Sequence, residues 1–369
     1  MTRLSLCMIV KNEGNCIERC LNSVKHAVDE MIIVDTGSSD DTINICRSAG
    51  ASVFSYEWND DFASARNYGL ERATGDWIIW LDADEEVDEA DAVKLKELLP
   101  DTEADLFSIQ LINYCGKQVD DYHVLQMAHP RIFRNRMGFR FVNPIHETLN
   151  ITEVLSTSEL LKRMVLAPIK VRHYGYLDEI VDAKQKAERN ISLLLKQLST
   201  EDKNPWLHYH MASEYYRVKQ YQRSFQYVNR AIVLFLSEGV TPPSLLYKLK
   251  YSILLSLGSF RGAYPAIEKA ICLYPDYVDL HFYKGILLHY LGRTEEALEA
   301  FDRCLELGDH QWSHLTQKGL GSFQAWYYKG ICLEQLNRKE AAYCYEQVLL
   351  LHPDHQEAAQ AFTRLQQDK

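Results

Sequence analysis

The sequence has no long hydrophobic run, no excess of positive charge and no closely spaced cysteine pair. No window approaches the ~20 apolar residues that span a bilayer, so we expect no transmembrane segment. The formal net charge is −11, which argues against nucleic acid as a partner because nucleic-acid binding needs a basic face. A metal ion chelated by a phosphate is still compatible with this charge.

The nine cysteines are odd in number and form no C-x2-C pair. Buried, reduced thiols in a cytoplasmic protein are the simplest interpretation. Cys16 and Cys20 lie one helical turn apart, but no second ligand pair near them supports a metal site. The opening segment "MTRLSLCMIVKNEG" has only about seven apolar positions and no small-residue cleavage site, so we interpret it as a core strand rather than a secretory signal.

At 369 residues the chain exceeds the usual size of one hydrophobic core, and two domains are expected. Up to about residue 110, short apolar runs alternate with amphipathic stretches, which predicts βαβ units on a mostly parallel sheet. The predicted strands are 4–10, 31–38, 52–58, 76–82 and 107–115. The predicted helices are 13–28, 41–48 and 62–73.

From about residue 204 the pattern is helical only and repeats itself. The close-packed site of each first helix holds Ala212, Tyr251, Gly285 or Gly330. Twelve positions later, each second helix has a small residue, namely Ser224, Ala263, Ala297 or Ala342. The step from Tyr251 to Gly285 is the tetratricopeptide period of about 34 residues. The other steps are longer, which predicts loop insertions near 235–243 and 310–320.

In the fourth repeat, Ala341 and Tyr345 fit the small and aromatic sites better, which predicts a shift of about one residue. The sequence therefore predicts three parts: a domain over 1–180, a helical linker over 181–203, and about four repeats over 204–369. Helix 355–367 would cap the stack.

Polar residues follow three predicted strands: Lys11-Asn12-Glu13, Asp35 to Ser39, and Asp82-Ala83-Asp84. In such sheets, ligands bind at the carboxyl ends of the strands. These residues should therefore lie together along that edge of the sheet, which we call the rim. If Asp82 and Asp84 lie on a strand, both point the same way. Convergent carboxylates suit Mg²⁺ or Mn²⁺, which keep positions open for substrate phosphates. A solvated acidic turn is the alternative, and spacing alone does not separate the two.

Other polar positions also have two interpretations. In "VDTGSSDDT" a turn and a helix cap explain the composition, or Asp35 accepts hydrogen bonds from a nucleobase or ribose. Arg66 and Asn67 either stabilise the fold or reach toward a metal–phosphate group.

Six ordered segments together resemble the family 2 glycosyltransferases, in particular a bacterial subgroup that fuses a GT-A domain to tetratricopeptide repeats. They are "LSLCMIVKNE", "IIVDTGSSDDT", "FASARNYGLERATGDWIIWLDADE", "RIFRN", "NPIHE" and "HYGY". The resemblance covers residues 1 to about 180 for the transferase. It implies an α/β GT-A, Rossmann-like, nucleotide-sugar-binding domain followed by an all-α tetratricopeptide-repeat solenoid.

The resemblance implies a donor site. Asp82 and Asp84 match the DxD pair that binds Mn²⁺ or Mg²⁺ on the donor diphosphate, which gives Asp84 a catalytic role. The nucleotide-binding rim matches Val10, Asn12, Glu13 and Asp35. Thr36 stands where many members have an Asp that contacts uracil, so the base is less firmly implied, and a UDP-sugar is the favoured donor. Arg66 matches a basic residue near the nucleotide or phosphates.

Two further sites follow from the resemblance. His173 matches a histidine that completes the metal or diphosphate site, although a lone histidine beside aromatic residues is more often part of the core. Arg131 and Arg134 are either a forked phosphate clamp or surface cations.

The same resemblance makes Glu147 of "HE" the base that deprotonates the acceptor in an inverting displacement. The alternative for Glu147 is an ion pair with one of the arginines of 131–140, namely Arg131, Arg134, Arg136 or Arg140. Asp120 and Asp121 are further candidates for the base.

The implied function is an inverting glycosyltransferase whose repeats bind a protein or peptide acceptor, since concave helical repeats commonly bind extended segments. The architecture is similar to that of peptide S-glycosyltransferases. Flagellin, polysaccharide or lipid-linked glycan acceptors and a homodimer stay open. An inactive repeat scaffold is a second interpretation, although the DxD and HE motifs are intact. A nucleotidyltransferase would have a Gly-rich loop with a basic residue after the first strand, where "VKNEGN" has one Gly.

Overall fold

The computed structural model describes residues 2–100, 102–177 and 186–367. Among these, 2–119 and 128–177 form one compact unit, and 120–127 with 186–367 form a second. Part of the expected linker, residues 181–185, lies outside the described residues. In the described part of the chain, every helix is too short or too polar to cross a membrane.

The first unit is built on a mixed sheet. Its strands are β1 (Leu4–Val10), β2 (Glu30–Asp35), β3 (Ser52–Ser55), β4 (Trp77–Trp80), β5 (Glu85–Val87), β6 (Leu106–Gly116), β7 (Val124–Arg134) and β10 (Met164–Leu177). The strand order is β3-β2-β1-β4-β7-β6-β10-β5. A separate hairpin pairs β8 (Phe141–Val142) with β9 (Thr148–Leu149).

Parallel pairs form the predicted part of this sheet. β1 pairs with β2 and with β4, and β2 pairs with β3, all in parallel. β4 pairs with β7, and β10 with β5, in antiparallel fashion. The expected α/β architecture is confirmed, and the carboxyl ends of β1, β2 and β4 lie at one edge of the sheet.

The helices of the first unit are α1 (Ile17–Val24), α2 (Thr42–Ser48), α3 (Phe62–Leu70), α4 (Glu89–Leu98), α5 (Ile151–Val154) and α6 (Thr157–Arg163). The predicted helix 13–28 is too long at both ends. Its start was wrong because the carbonyl of Glu13 accepts from the amides of Cys16 and Ile17 in a turn before α1. The third helix begins as expected, since the Asp61 side chain accepts from the Ser64 amide and caps it.

The second unit is a stack of paired helices, as expected. They are α7 (Lys186–Leu198), α8 (Pro205–Arg217), α9 (Tyr221–Ser237), α10 (Ser244–Ser256), α11 (Phe260–Ala263), α12 (Ile267–Leu273), α13 (Val278–Tyr290), α14 (Thr294–Leu307), α15 (Phe323–Gln335), α16 (Ala341–Leu351) and α17 (Gln356–Gln367). Pro265 lies between α11 and α12, so the second helix of that repeat is in two pieces.

Small residues set the approach of paired helices. A Cβ on Gly285 would lie 2.6 Å from the ring of Phe301, and one on Gly330 would lie 2.7 Å from the ring of Tyr345. The predicted shift in the fourth repeat is present, because Ala341 and Tyr345 are both buried.

The insertion near 310–320 contains a short strand, β11 (Thr316–Gln317), that pairs with Leu125 and Gln126. Its His314 bonds to Ser244 over 2.9 Å and to Asp276 over 3.2 Å, and stacks on Tyr277. The insertion is therefore held in place within the second unit.

Candidate active site

The ends of β1 and β2 are tied together by side chains. Val10 and Asp35 are partners in the parallel register. The carboxylate of Asp35 is buried and accepts from the amides of Gly37 (3.0 Å) and Ser38 (3.1 Å). These bonds make Asp35 part of the turn at Gly37 and Ser38, which agrees with the turn interpretation of this segment.

Asn12 and Glu13 connect the same two loops. Asn12 has a φ of 55°, and its Oδ1 accepts from the Ser39 amide over 2.8 Å. The Glu13 amide donates to Thr42 Oγ1 over 2.8 Å. The predicted nucleotide-binding rim therefore has its backbone fixed by hydrogen bonds.

Asp82 and Asp84 lie in a turn between β4 and β5, because β4 ends at Trp80 and β5 starts at Glu85. The prediction that strand alternation aligns them was therefore wrong. Their carboxylates have different basic neighbours: Asp82 contacts Arg66, and Asp84 lies beside His173. The thiol of Cys20 also supports the turn, donating to the carbonyl oxygen of Asp82 over 3.4 Å.

Arg66 joins Asp82 to Glu147. From α3 its Nη2 donates to Asp82 Oδ1 over 2.6 Å, and its Nε donates to Glu147 Oε1 over 2.7 Å. The Arg66 side chain is 7% exposed, and its guanidinium carbon lies 4.6 Å from the centroid of the Trp80 ring. Burial opposes the charge on Arg66, but the carboxylates of Asp82 and Glu147 outweigh it and raise its pKa. Burial likewise disfavours ionised Asp82, yet Arg66 and Arg131 hold its pKa below the usual value.

Glu147 is positioned by the β8–β9 hairpin. Asn67, next to Arg66 on α3, donates to the Phe141 carbonyl (2.9 Å) and accepts from the Phe141 amide (2.8 Å). His146, with a φ of 52°, lies in the turn just before Glu147. The predicted alternative for Glu147 was a pair with an arginine of 131–140; the partner is Arg66 instead.

Arg131 and Arg134 are structural in this arrangement. Arg131 is 3% exposed, and its Nη2 donates to Glu85 over 2.5 Å. Arg134 is paired with Trp77 at the start of β4, and its Nε lies 3.0 Å from Asp105. Neither guanidinium faces the site as a phosphate clamp, because one is buried in an ion pair and the other lies at the opposite end of β4 from Asp82.

His173 and Asp84 converge beside a glycine. His173 Nε2 lies 3.4 Å from Asp84 Oδ1. A Cβ on Gly175 would lie 2.5 Å from His173 Nε2 and would overlap Asp84 Oδ2. Burial lowers the pKa of His173, but Asp84 first, and then Glu85 and Asp82, outweigh it and raise the pKa.

These groups fit a divalent cation that shares its ligands with a substrate. Within the described ranges, no three His, Cys, Asp or Glu side chains form a closed metal cluster. For such an ion, Asp84 and His173 would supply one oxygen and one nitrogen ligand, and Gly175 leaves room beside them. Mn²⁺ and Mg²⁺ bound with substrate phosphates take only one or two protein carboxylates, so such a pair is sufficient.

Two contributors were missed or left open by the sequence. Glu85 is fully buried, and its Oε2 accepts from the Asp82 amide over 2.9 Å. Burial and the charge of Asp82 raise its pKa, against the effect of Arg131. Asn113 bonds to His173 Nδ1 over 2.8 Å. A lone Asn in a predicted strand gives no sequence signal for this contact. Asp120 and Asp121, the other candidates for the base, belong to the second unit.

Three segments match known family models. Residues 5–169 match glycosyl transferase family 2. Residues 278–310 and 324–355 match tetratricopeptide repeats.

Curated relatives match over part of their length. A TPR repeat-containing protein of Synechococcus elongatus is 35% identical over 69% of this chain and 62% of its own. The SPbeta prophage-derived glycosyltransferase SunS of Bacillus subtilis is 30% identical over 61% of this chain and 52% of its own. An uncharacterized glycosyltransferase of Rickettsia bellii is 32% identical over 42% of this chain and 53% of its own. In each case the match spans less than two thirds of the relative.

Proposed function

We propose, from the family 2 glycosyl transferase domain that this chain has ahead of its tetratricopeptide repeats, that the protein is an inverting glycosyltransferase. It transfers a sugar from a nucleotide-sugar, with UDP-sugars as the first choice, to a protein or peptide acceptor. The observation that supports this best is the Arg66 bridge, which connects the acid of the donor motif, Asp82, to the candidate base, Glu147.

On the donor side, Asp84 and His173 would hold Mn²⁺ or Mg²⁺. When bound, such an ion neutralises the diphosphate as it leaves the sugar. Asp82 is held by Arg66 and by the turn that Glu85 stabilises. The rim of Val10, Asn12, Glu13 and Asp35 would contact the nucleoside, with its backbone already fixed by the bonds to Ser38, Ser39 and Thr42.

On the acceptor side, Glu147 would take the proton. The acceptor atom forms a bond to the anomeric carbon while the bond to the diphosphate breaks, and its proton passes to the carboxylate. Arg66 holds Oε1 of Glu147 over 2.7 Å, and Asn67 holds the hairpin that carries Glu147. Both contacts fix the orientation of the base, and geometry is the first requirement for proton transfer.

The repeats are the proposed site for the acceptor. Paired helices stacked in series form extended surfaces that suit an extended protein segment. The repeat matches at 278–310 and 324–355 support this assignment.

Calorimetric titration of the full chain with UDP- and GDP-sugars, with and without Mn²⁺, tests the donor site. The variants are Asp84→Asn and, as a matched control, Glu89→Gln, an exposed acid on α4. We expect binding that needs Mn²⁺, is lost in D84N and is kept in E89Q. Absence of binding by every nucleotide-sugar would contradict a transferase and favour the scaffold interpretation.

Glu147→Gln tests the base in the same protein. We expect donor binding close to that of the unsubstituted chain and a loss of about 10²–10⁴-fold in transfer, the usual contribution of a general base. Mass spectrometry of a peptide pool incubated with the donor measures transfer. Full transfer by E147Q would exclude this base.

A further inference from the structure

Asn113 is the neighbour of His173 in the sheet. The two are partners in the parallel register of β6 and β10, and Glu85 of β5 is the partner of His173 on the other side. Asn113 is 4% exposed and the His173 side chain is 12% exposed. Because all three residues lie on paired strands, their relative positions are fixed by backbone hydrogen bonds.

The hydrogen bond between the side chains sets the form of the imidazole. Asn113 Oδ1 lies 2.8 Å from His173 Nδ1. An amide oxygen only accepts, so Nδ1 must carry the hydrogen. In the neutral ring, Nε2 then has the lone pair, and that lone pair is the one a metal uses.

The other nitrogen faces Asp84. Nε2 is 3.4 Å from Asp84 Oδ1. In the neutral Nδ1–H ring, Nε2 and the Asp84 carboxylate are both acceptors, and either a proton on Nε2 or a metal ion between them removes their repulsion. An ion with bonds of about 2.1 Å holds neighbouring ligands about 3 Å apart, close to the observed separation.

The surroundings preserve this space. The ring of Tyr176 meets the imidazole edge-on, with 4.8 Å between centroids. Gly175 has no side chain to enter the gap between Nε2 and Asp84. The imidazole is therefore held by Asn113 and Tyr176, and its Nε2 faces Asp84 with no side chain from residue 175 between them.

We propose that Asn113 is a positioning residue of the donor site: it fixes His173 in the Nδ1–H tautomer and so aims Nε2 as a ligand at the cation shared with Asp84. The inference rests on the proposed function in that the cation is the ion of the donor diphosphate. Outer partners of this kind commonly change metal affinity by about 10–100-fold.

The test compares Asn113→Leu, which removes the acceptor, with Asn113→Asp, which keeps it. Gln110→Leu is the control, because Gln110 is a buried amide on the same strand whose register partner is Lys170. Mn²⁺ affinity is measured by electron paramagnetic resonance. The tautomer is measured from imidazole ¹⁵N shifts of the metal-free protein at about pH 9, where an ordinary imidazole is neutral.

We expect N113L to lose about 10–100-fold in Mn²⁺ affinity. Its His173 imidazole should no longer be fixed in the Nδ1–H tautomer. N113D and Q110L should keep both properties. Asn113→Ala, which adds no bulk, gives the same comparison if the leucine prevents folding.

Two results would overturn the inference in different ways. Unchanged tautomer and Mn²⁺ affinity in N113L and N113A would remove the role of Asn113 and leave the proposed function intact. A lack of Mn²⁺ binding by the unsubstituted protein would overturn both the inference and the metal-assisted donor site.

Discussion

Arg66 and Glu147 lie 81 positions apart in the chain and are joined by a hydrogen bond of 2.7 Å. The same guanidinium also bonds to Asp82 over 2.6 Å. A single buried cation therefore holds a residue of the acidic turn and the candidate base in one arrangement. The donor side and the acceptor side of the proposed site therefore both depend on Arg66.

Substitution of Arg66 should impair stability and transfer together. Arg66→Met leaves two carboxylates without their cation. We expect the free energy of unfolding to decrease by up to about 3 kcal/mol, the lower end of the range for breaking a buried ion pair. The lower end applies because the Asp82 side chain is 35% exposed. Arg66→Lys keeps the positive charge but lacks the planar guanidinium that donates to Asp82 and Glu147 from two nitrogens. Transfer should therefore fall, while the loss of stability should be smaller than in Arg66→Met.

Urea denaturation and transfer assays measure these two effects. Arg47→Lys, at an exposed position of α2, is the control. Normal transfer by R66K would show that transfer does not need a guanidinium bonded to both Asp82 and Glu147.

Gly175→Ala should weaken Mn²⁺ binding. The new Cβ would overlap Asp84 Oδ2 and lie 2.5 Å from His173 Nε2, so the two groups would have to separate. We expect affinity to fall by at least about tenfold, as for other disturbed ligand shells. Gly262→Ala is the matched control, since its Cβ meets only the side chain of Ser259. Equal Mn²⁺ affinity in the two variants would contradict the assignment of Asp84 and His173.

Stability should fall on mild acidification because of His129. Burial lowers the pKa of His129 to about 3, and the positive charge of Arg131 acts in the same direction. An unfolded histidine has a pKa of about 6.5. Between these values the unfolded chain binds a proton that the folded chain does not, so the free energy of unfolding decreases as the pH falls through this window.

The slope of that decrease identifies the residue. Urea midpoints from pH 7 to about pH 4 should fall less steeply in His129→Gln than in the unsubstituted chain. His26→Gln, at an exposed position, should keep the steep slope. Identical slopes in all three proteins would exclude His129 as the cause.

Gly285→Ala should destabilise the repeat stack. Its Cβ would lie 2.6 Å from the ring of Phe301, which is fully buried. Overpacking of this kind costs about 1–3 kcal/mol, more than the ~1 kcal/mol that Ala gains over Gly in a helix. Thermal unfolding followed by circular dichroism measures the effect, with Glu299→Ala as the surface control. A raised melting temperature in G285A would mean that the ring moves aside freely.

Much of the fold was predictable because it follows from local patterns. Apolar runs such as Leu4–Val10 indicate a buried strand, and the recurrence of small residues at Gly285 and Gly330 indicates paired helices. The antiparallel pairing of β5 with β10 was not predictable, since Glu85 and His173 are far apart in sequence. Glu85 stands in an acidic segment of the kind that is usually exposed, yet its ion pair with Arg131 allows its burial.

The sequence by itself determined the two kinds of architecture and the candidate residues at the strand ends, because periodicity and strand-end chemistry are properties of neighbouring residues. Only the tertiary structure decided which charges meet. It paired Arg66 with both Asp82 and Glu147, placed Arg131 in the core, and set Asn113 against His173. Such partners lie on different strands and helices, so the packing of those elements, rather than any local pattern, brings them together.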